Sequence, residues 1–206
     1  MRILRVGVAI AAIALWGGSL SAQKKPAAPP KPAASQKPVV TNRTGQWLGV
    51  GLGSGWGRFT CEVCEAGRGA SISGYFRVGG TLSQKFLLGV EADGWMRGVE
   101  DVDHFMLGVA AELFLYPNPR KRMYYKAGVG IMLYQASDED GTVTTQAFGP
   151  NLGAGYDIPI SGAVSLTPFV SVFIASLGGD INFNGEQFRS DGGLLLAQLG
   201  MGVTWH

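Results

Sequence analysis

The sequence lacks the run of about 18 apolar residues that a membrane-crossing helix needs once its N-terminal stretch is passed. It is also poor in charge: Asp, Glu, Lys and Arg make up 16% of 206 residues, against about 25% in soluble domains. The formal net charge of +2 is too small and too scattered for a nucleic-acid surface. Cysteine occurs twice, at Cys61 and Cys64, and histidine twice, at His104 and His206. A metal site would need more ligands nearby, so neither a metal nor a cofactor is expected. Glycine is abundant, at 32 residues, yet no Gly-X-Y period runs through it, which excludes collagen. A hydrophobic chain without a spanning helix still suits a membrane if its apolar residues alternate.

The N-terminus resembles a secretory signal peptide, residues 1–22. Arg2 and Arg5 precede the apolar core Val6–Trp16, and Ser19-Leu20-Ser21-Ala22 offers small residues for cleavage. Residues 23–45 form a linker rich in Pro, Ala and Lys, which cannot bury a core and reads as an extended periplasmic spacer.

The remainder, 46–206, is organised around its last stretch, Gly193–His206. Leu195, Ala197, Leu199, Met201, Val203 and Trp205 share one side; Gln198, Gly200, Gly202 and Thr204 share the other. That period of two is a strand. Seven more segments alternate in the same way: Gln46–Ser54, Ala70–Thr81, Phe86–Arg97, His104–Tyr116, Met123–Gln135, Thr145–Ile158 and Val164–Ala175. Pro150 breaks the sixth and suggests a bulge or a late start to pairing.

One face of these segments is wholly apolar. The other carries Arg77, Glu91, Asp93, Arg97, Glu112, Lys126 and Asp157. A soluble barrel keeps apolar groups inside and charges out. Here the reverse is required, because an Arg or Lys facing lipid at mid-membrane costs about 2–4 kcal/mol. The expected fold is therefore all-β, an eight-stranded antiparallel up-and-down transmembrane barrel. Its connections alternate short (82–85, 117–122, 159–163) with longer ones, of which 55–69 and 176–192 are the longest.

The chain resembles the small OmpA/OmpX-like outer-membrane barrels. The resemblance covers about Gly45–His206 and rests on architecture. The ending at Leu199, Met201, Val203 and Trp205 resembles the C-terminal β-signal read by the barrel-assembly machinery, offset by His206. The resemblance implies outer-membrane lipid as surroundings, that machinery as an insertion partner, and the N-terminal linker and the C-terminus in the periplasm. Some small barrels of this kind are lipid A deacylases or palmitoyltransferases. His104 lacks the deacylase's His-x-Ser pattern, since Met106 stands where the Ser would be.

If the second turn is Ser83–Lys85, Arg77 faces Glu91 and Tyr75 faces Asp93. A similar count about Pro119 sets Glu112 opposite Lys126. The charges then form a salt-bridged interior plug, with Tyr75, Trp95, Phe114, Tyr124, Phe169 and Phe173 filling the space. Cys61 and Cys64 suit a short-loop disulfide after export. The loop 176–192 mixes aromatic and polar residues, as adaptable binding loops do. The acidic stretches Glu100–Asp103 and Asp138–Asp140 carry no spaced Ca²⁺ motif. These features point to a non-catalytic structural or surface-interaction role, with a narrow pore and a lipid-modifying enzyme as alternatives.

Overall fold

Alternation produces strands here because each segment has one face for a packed interior and one for an apolar exterior. The computed structural model describes residues 43–206, apart from 62–63, 66–68, 140 and 190–191. The expected leader and most of the expected linker lie outside the described residues. In chain order the strands are β1 (Gln46–Cys61), β2 (Cys64–Glu65), β3 (Gly69–Thr81), β4 (Phe86–Val99), β5 (Val102–Leu115), β6 (Met123–Ser137), β7 (Thr142–Tyr156), β8 (Ile158–Pro159), β9 (Val164–Ala175), β10 (Leu177–Phe183), β11 (Glu186–Arg189) and β12 (Gly193–Trp205). Eight of them close a barrel. β3 to β7 pair in sequence, β7 meets β9, β9 meets β12, and β1 joins β12 to β3, all antiparallel.

The end that carries Gln46 and Trp205 is called the terminal end below, and the opposite one the far end. Terminal-end turns are tight. Ser83 Oγ accepts from the Phe86 amide at 3.2 Å, and Ser161 Oγ from the Val164 amide at 3.2 Å. The third holds a 3-10 turn, Pro119–Lys121, with the Asn118 carboxamide accepting from the Arg120 amide at 3.0 Å.

Much of what reads as long loop is strand. β1 runs seven residues past Ser54, and 176–192 is largely the β10–β11 hairpin. Its turn, Asn184-Gly185, has both residues at positive φ (49° and 89°), as a type I′ turn requires. The acidic connection at Glu100–Asp103 shrinks to the two-residue turn Glu100-Asp101, because Val99 already pairs with Val102. Cys61 and Cys64 are backbone partners at the β1–β2 hairpin; their side chains, and so the expected disulfide, lie outside what is described.

Pro150 does not interrupt the β6 ladder, where it faces Val129. The irregularity falls on its other side. There β7 leaves β9 after Asn151↔Phe173 and takes up β10 at Phe148↔Leu177. A residue without an N–H sits where no ladder bond is made.

The outer wall is an apolar belt. Phe86, Tyr125, Tyr156 and Trp205 are exposed near the terminal end, and Trp56, Phe105 and Phe148 near the far end. Val50, Leu88, Val109, Ile131, Leu152 and Val170 are exposed between them. Arg58 and Asp103 come one outward step beyond Trp56 and Phe105. A strand tilted about 40° crosses a band of about 25 Å in roughly ten residues. The barrel strands have 12 to 16, so they outrun such a band.

Candidate functional site

The interior is the part of the barrel that concentrates chemistry, and it is layered. In the terminal half, Arg77 of β3 faces Glu91 of β4 across the ladder, and Tyr75 faces Asp93, as counted from the turn. The Arg77 guanidinium donates to the Tyr124 hydroxyl and to Thr204 Oγ1, each at 2.9 Å, and lies 3.9 Å from a Glu91 carboxylate oxygen. The second Glu91 oxygen binds Lys126 Nζ, which is also 3.8 Å from Glu112 Oε1. Asn151 Nδ2 donates to Asp93 at 3.0 Å. All of these side chains are buried. The group holds three carboxyls against two cations.

The inward glycines make this possible. A Cβ at Gly49 would stand 2.6 Å from Arg77 Nε, and one at Gly153 2.7 Å from Lys126 Cε. The space a side chain would take is occupied by a long cation from the neighbouring strand.

One expected pairing is wrong. Glu112 lies opposite Gly128, and Lys126 opposite Phe114. The 3-10 turn shifts the hairpin axis by one residue and every pair by two. Lys126 still reaches Glu112 as a diagonal neighbour. Asp157 does not join the central cluster either, but sits at the mouth of the terminal end. It accepts from the Tyr116 hydroxyl at 2.8 Å, Thr167 Oγ1 at 3.1 Å and Arg43 at 3.2 Å, with His206 Nε2 3.7 Å away. The Arg43 guanidinium lies flat on the Tyr116 ring, 3.6 Å from its centroid. Thr167 and Thr204, 3.1 Å apart, connect this mouth to Arg77. Burial works against a charged Asp157, but His206, Tyr116 and Arg43 outweigh it and hold the carboxyl below its usual range. Burial and that carboxylate push the Tyr116 phenol up, so it stays a donor.

Arg43 corrects the expected linker boundary: Arg43 and Gly45 belong to the barrel body. Arg43 is 1% exposed, its carbonyl accepts from Gln84 at 2.8 Å, and the Gly45 carbonyl accepts from the Thr81 amide at 2.8 Å. The His206 side chain is buried as well, and the residue's amide donates to the Ala163 carbonyl at 2.9 Å. The signal for Arg43 was available: Asp157 faces inward and requires a cation. Arg97 is half-buried at the far end, opposite His104 and apart from both clusters. The His104 ring nitrogen contacts the Tyr134 hydroxyl at 2.7 Å. Leu199, Met201, Val203 and Trp205 line the outer wall of β12.

The far half of the lumen is mainly apolar, with Ser73 and Thr145 buried among its side chains. Trp95, Met106, Ala110, Met132, Phe173 and Leu196 pack together, each at most 2% exposed. Hollows of about 310 and 460 Å³ open on the outer wall between side chains such as Leu52 and Ile72, or Val50 and Met201.

A closed eight-stranded barrel with an apolar belt and a packed polar interior defines the fold class of the small outer-membrane barrels. No known family profile matches the sequence, and no curated protein does. Solved structures do match. Neisserial surface protein A shares 13% identity, with 79% of this chain and 97% of that chain covered, at a TM-score of 0.52. OprG of Pseudomonas aeruginosa follows at 11%, 82% and 99%, with a TM-score of 0.47. Ail of Yersinia pestis, solved with the heparin analogue sucrose octasulfate, gives 14%, 79% and 99%, with a TM-score of 0.44. At 13% identity the likeness to Neisserial surface protein A is one of fold, and it agrees with the small OmpA/OmpX-like barrel anticipated from the alternating segments.

Proposed function

We propose that the protein is a non-catalytic barrel of the bacterial outer membrane, with its N-terminal linker and its C-terminus in the periplasm and its activity at the exposed far end. The observation that carries this reading is the filled lumen. Ion pairs and aromatics pack the terminal half, and the Met106–Met132–Phe173 layer packs the far half. A pathway for solute would have to break both. The interior charges are accordingly a structural network, Arg77, Glu91, Asp93, Glu112 and Lys126, extended at the mouth by Arg43 and Asp157.

The far-end hairpins are the part free to meet a partner. Phe183 is exposed at the tip of β10, beside the Asn184-Gly185 turn. His104 has Tyr134 as its ring partner, not the Ser and acid of a lipid hydrolase. The test is electrical. Purified protein in planar bilayers is expected to give no steady single-channel conductance. A steady conductance in the wild type, altered by Arg77→Ala, would overturn the plug. Lipid A mass spectra are expected to be the same with and without the protein; a change lost in His104→Ala would establish an enzyme.

A further inference from the structure

The acids outside the lumen are sorted by end. Among the described residues every such acid lies at the far end, as in the Glu100-Asp101 and Asp138-Glu139 turns and at Asp180 and Glu186. The terminal rim carries Lys85, Arg120, Lys121 and Arg122, and its one described acid, Asp157, is buried and ion-paired. The basic residues are gathered on adjoining turns, since the Tyr116 amide donates to the Lys85 carbonyl at 2.8 Å. Lys85, Arg120 and Lys121 are exposed. Beside them stand exposed apolar groups, Leu82, Phe86, Met123 and Tyr125. The 3-10 turn, with Arg122 at φ 62°, holds three basic residues in succession on a short rigid connection.

We infer that this rim is a binding surface for the headgroups of anionic phospholipid, in the leaflet at the terminal end. Apolar side chains fix the depth of the barrel just below the rim, and the cations then stand at headgroup level. Each Lys or Arg at an anionic membrane surface favours binding about fivefold. The asymmetry matters as much as the count, because acids at the same rim would cancel the attraction. This inference rests on the barrel's lying in a bilayer, as proposed above.

The experiment uses the full chain in nanodiscs of mixed phosphatidylcholine and phosphatidylglycerol, with retained lipid read by native mass spectrometry. The wild type is expected to retain phosphatidylglycerol over phosphatidylcholine by well over the fivefold of one cation. Lys85→Gln/Arg120→Gln/Lys121→Gln together should abolish that preference, Lys121→Arg should keep it, and Arg58→Gln at the far end should not change it. Raising salt on the wild type should erode the preference, which keeps the test decisive if the triple variant does not fold. Equal retention of both lipids by the wild type would overturn the inference. So would an unchanged preference in a folded triple variant, including one that had lost binding to purified peptidoglycan instead. Failure of the wild type to enter the bilayer would sink the membrane reading itself, whereas entry without lipid preference would sink only this one.

Discussion

The two halves of the lumen close the same passage by opposite means. The far half is sealed by Met106, Met132, Phe173 and Leu196, whose contacts are short-ranged and interchangeable. The terminal half is sealed by ion pairs and hydrogen bonds that need particular partners at particular registers. Apolar packing gives way gradually when a side chain shrinks. A buried ion pair fails abruptly, since removing one partner strands the other. Glu91→Leu is the sharpest way to break the terminal half, because Glu91 contacts both Lys126 and Arg77. It should cost about 4 kcal/mol, the cost of an uncompensated buried charge. Urea unfolding in detergent micelles, followed by tryptophan fluorescence, would measure it. Met132→Ala in the far half should cost about 3 kcal/mol by the same assay, since it leaves a cavity without stranding a charge. If Met132→Ala proved the costlier, the far half would be the better-specified seal.

Legibility in the sequence divides along related lines. Alternation reports which face a residue takes, so the eight barrel segments and the inward set Tyr75, Trp95, Phe114, Tyr124, Phe169 and Phe173 were readable. Register depends on turn geometry. The turn at Ser83 was simple enough to place Arg77 opposite Glu91, while the 3-10 turn at Pro119 defeated the count for Glu112 and Lys126. Glycines at 53, 55 and 57 carry no polarity, so the far part of β1 read as loop. The mouth cluster was hidden for a different reason. Arg43 follows a linker and His206 follows a strand, and neither belongs to an alternating pattern. Only closure of the barrel brings both to Asp157.

That mouth cluster is an intermediate case between the two halves. Arg43→Ala should cost about 2 kcal/mol, within the range of a charged hydrogen bond. The cost is smaller than at Glu91, because Tyr116 and Thr167 still donate to Asp157. Acid offers a second handle. The folded Asp157 carboxyl titrates below its unfolded value, so its contribution is complete above the unfolded value and is lost as pH falls through the folded one. The stability difference between wild type and Asp157→Asn should shrink below about pH 4, where an unperturbed Asp takes up its proton. Urea midpoints for the two proteins across that range would show it. A difference that grew on acidification would mean that the mouth does not favour the carboxylate.

The smallest effect is expected within the charged half itself, at Asp93. The central cluster has one carboxyl more than it has cations, and Asp93 accepts from Asn151 and neighbours the Glu91 carboxyl, while the ion pairs described for Lys126 and Arg77 go to Glu91 and Glu112. Asp93→Asn keeps an oxygen for that amide and brings the formal charges level. The change should move stability by less than about 1 kcal/mol, in contrast to Glu91→Leu two residues away on the same strand. The pair of measurements separates charge count from connectivity. If Asp93→Asn proves as damaging as Glu91→Leu, the terminal half depends on every carboxyl it holds, not on the one that bridges both cations.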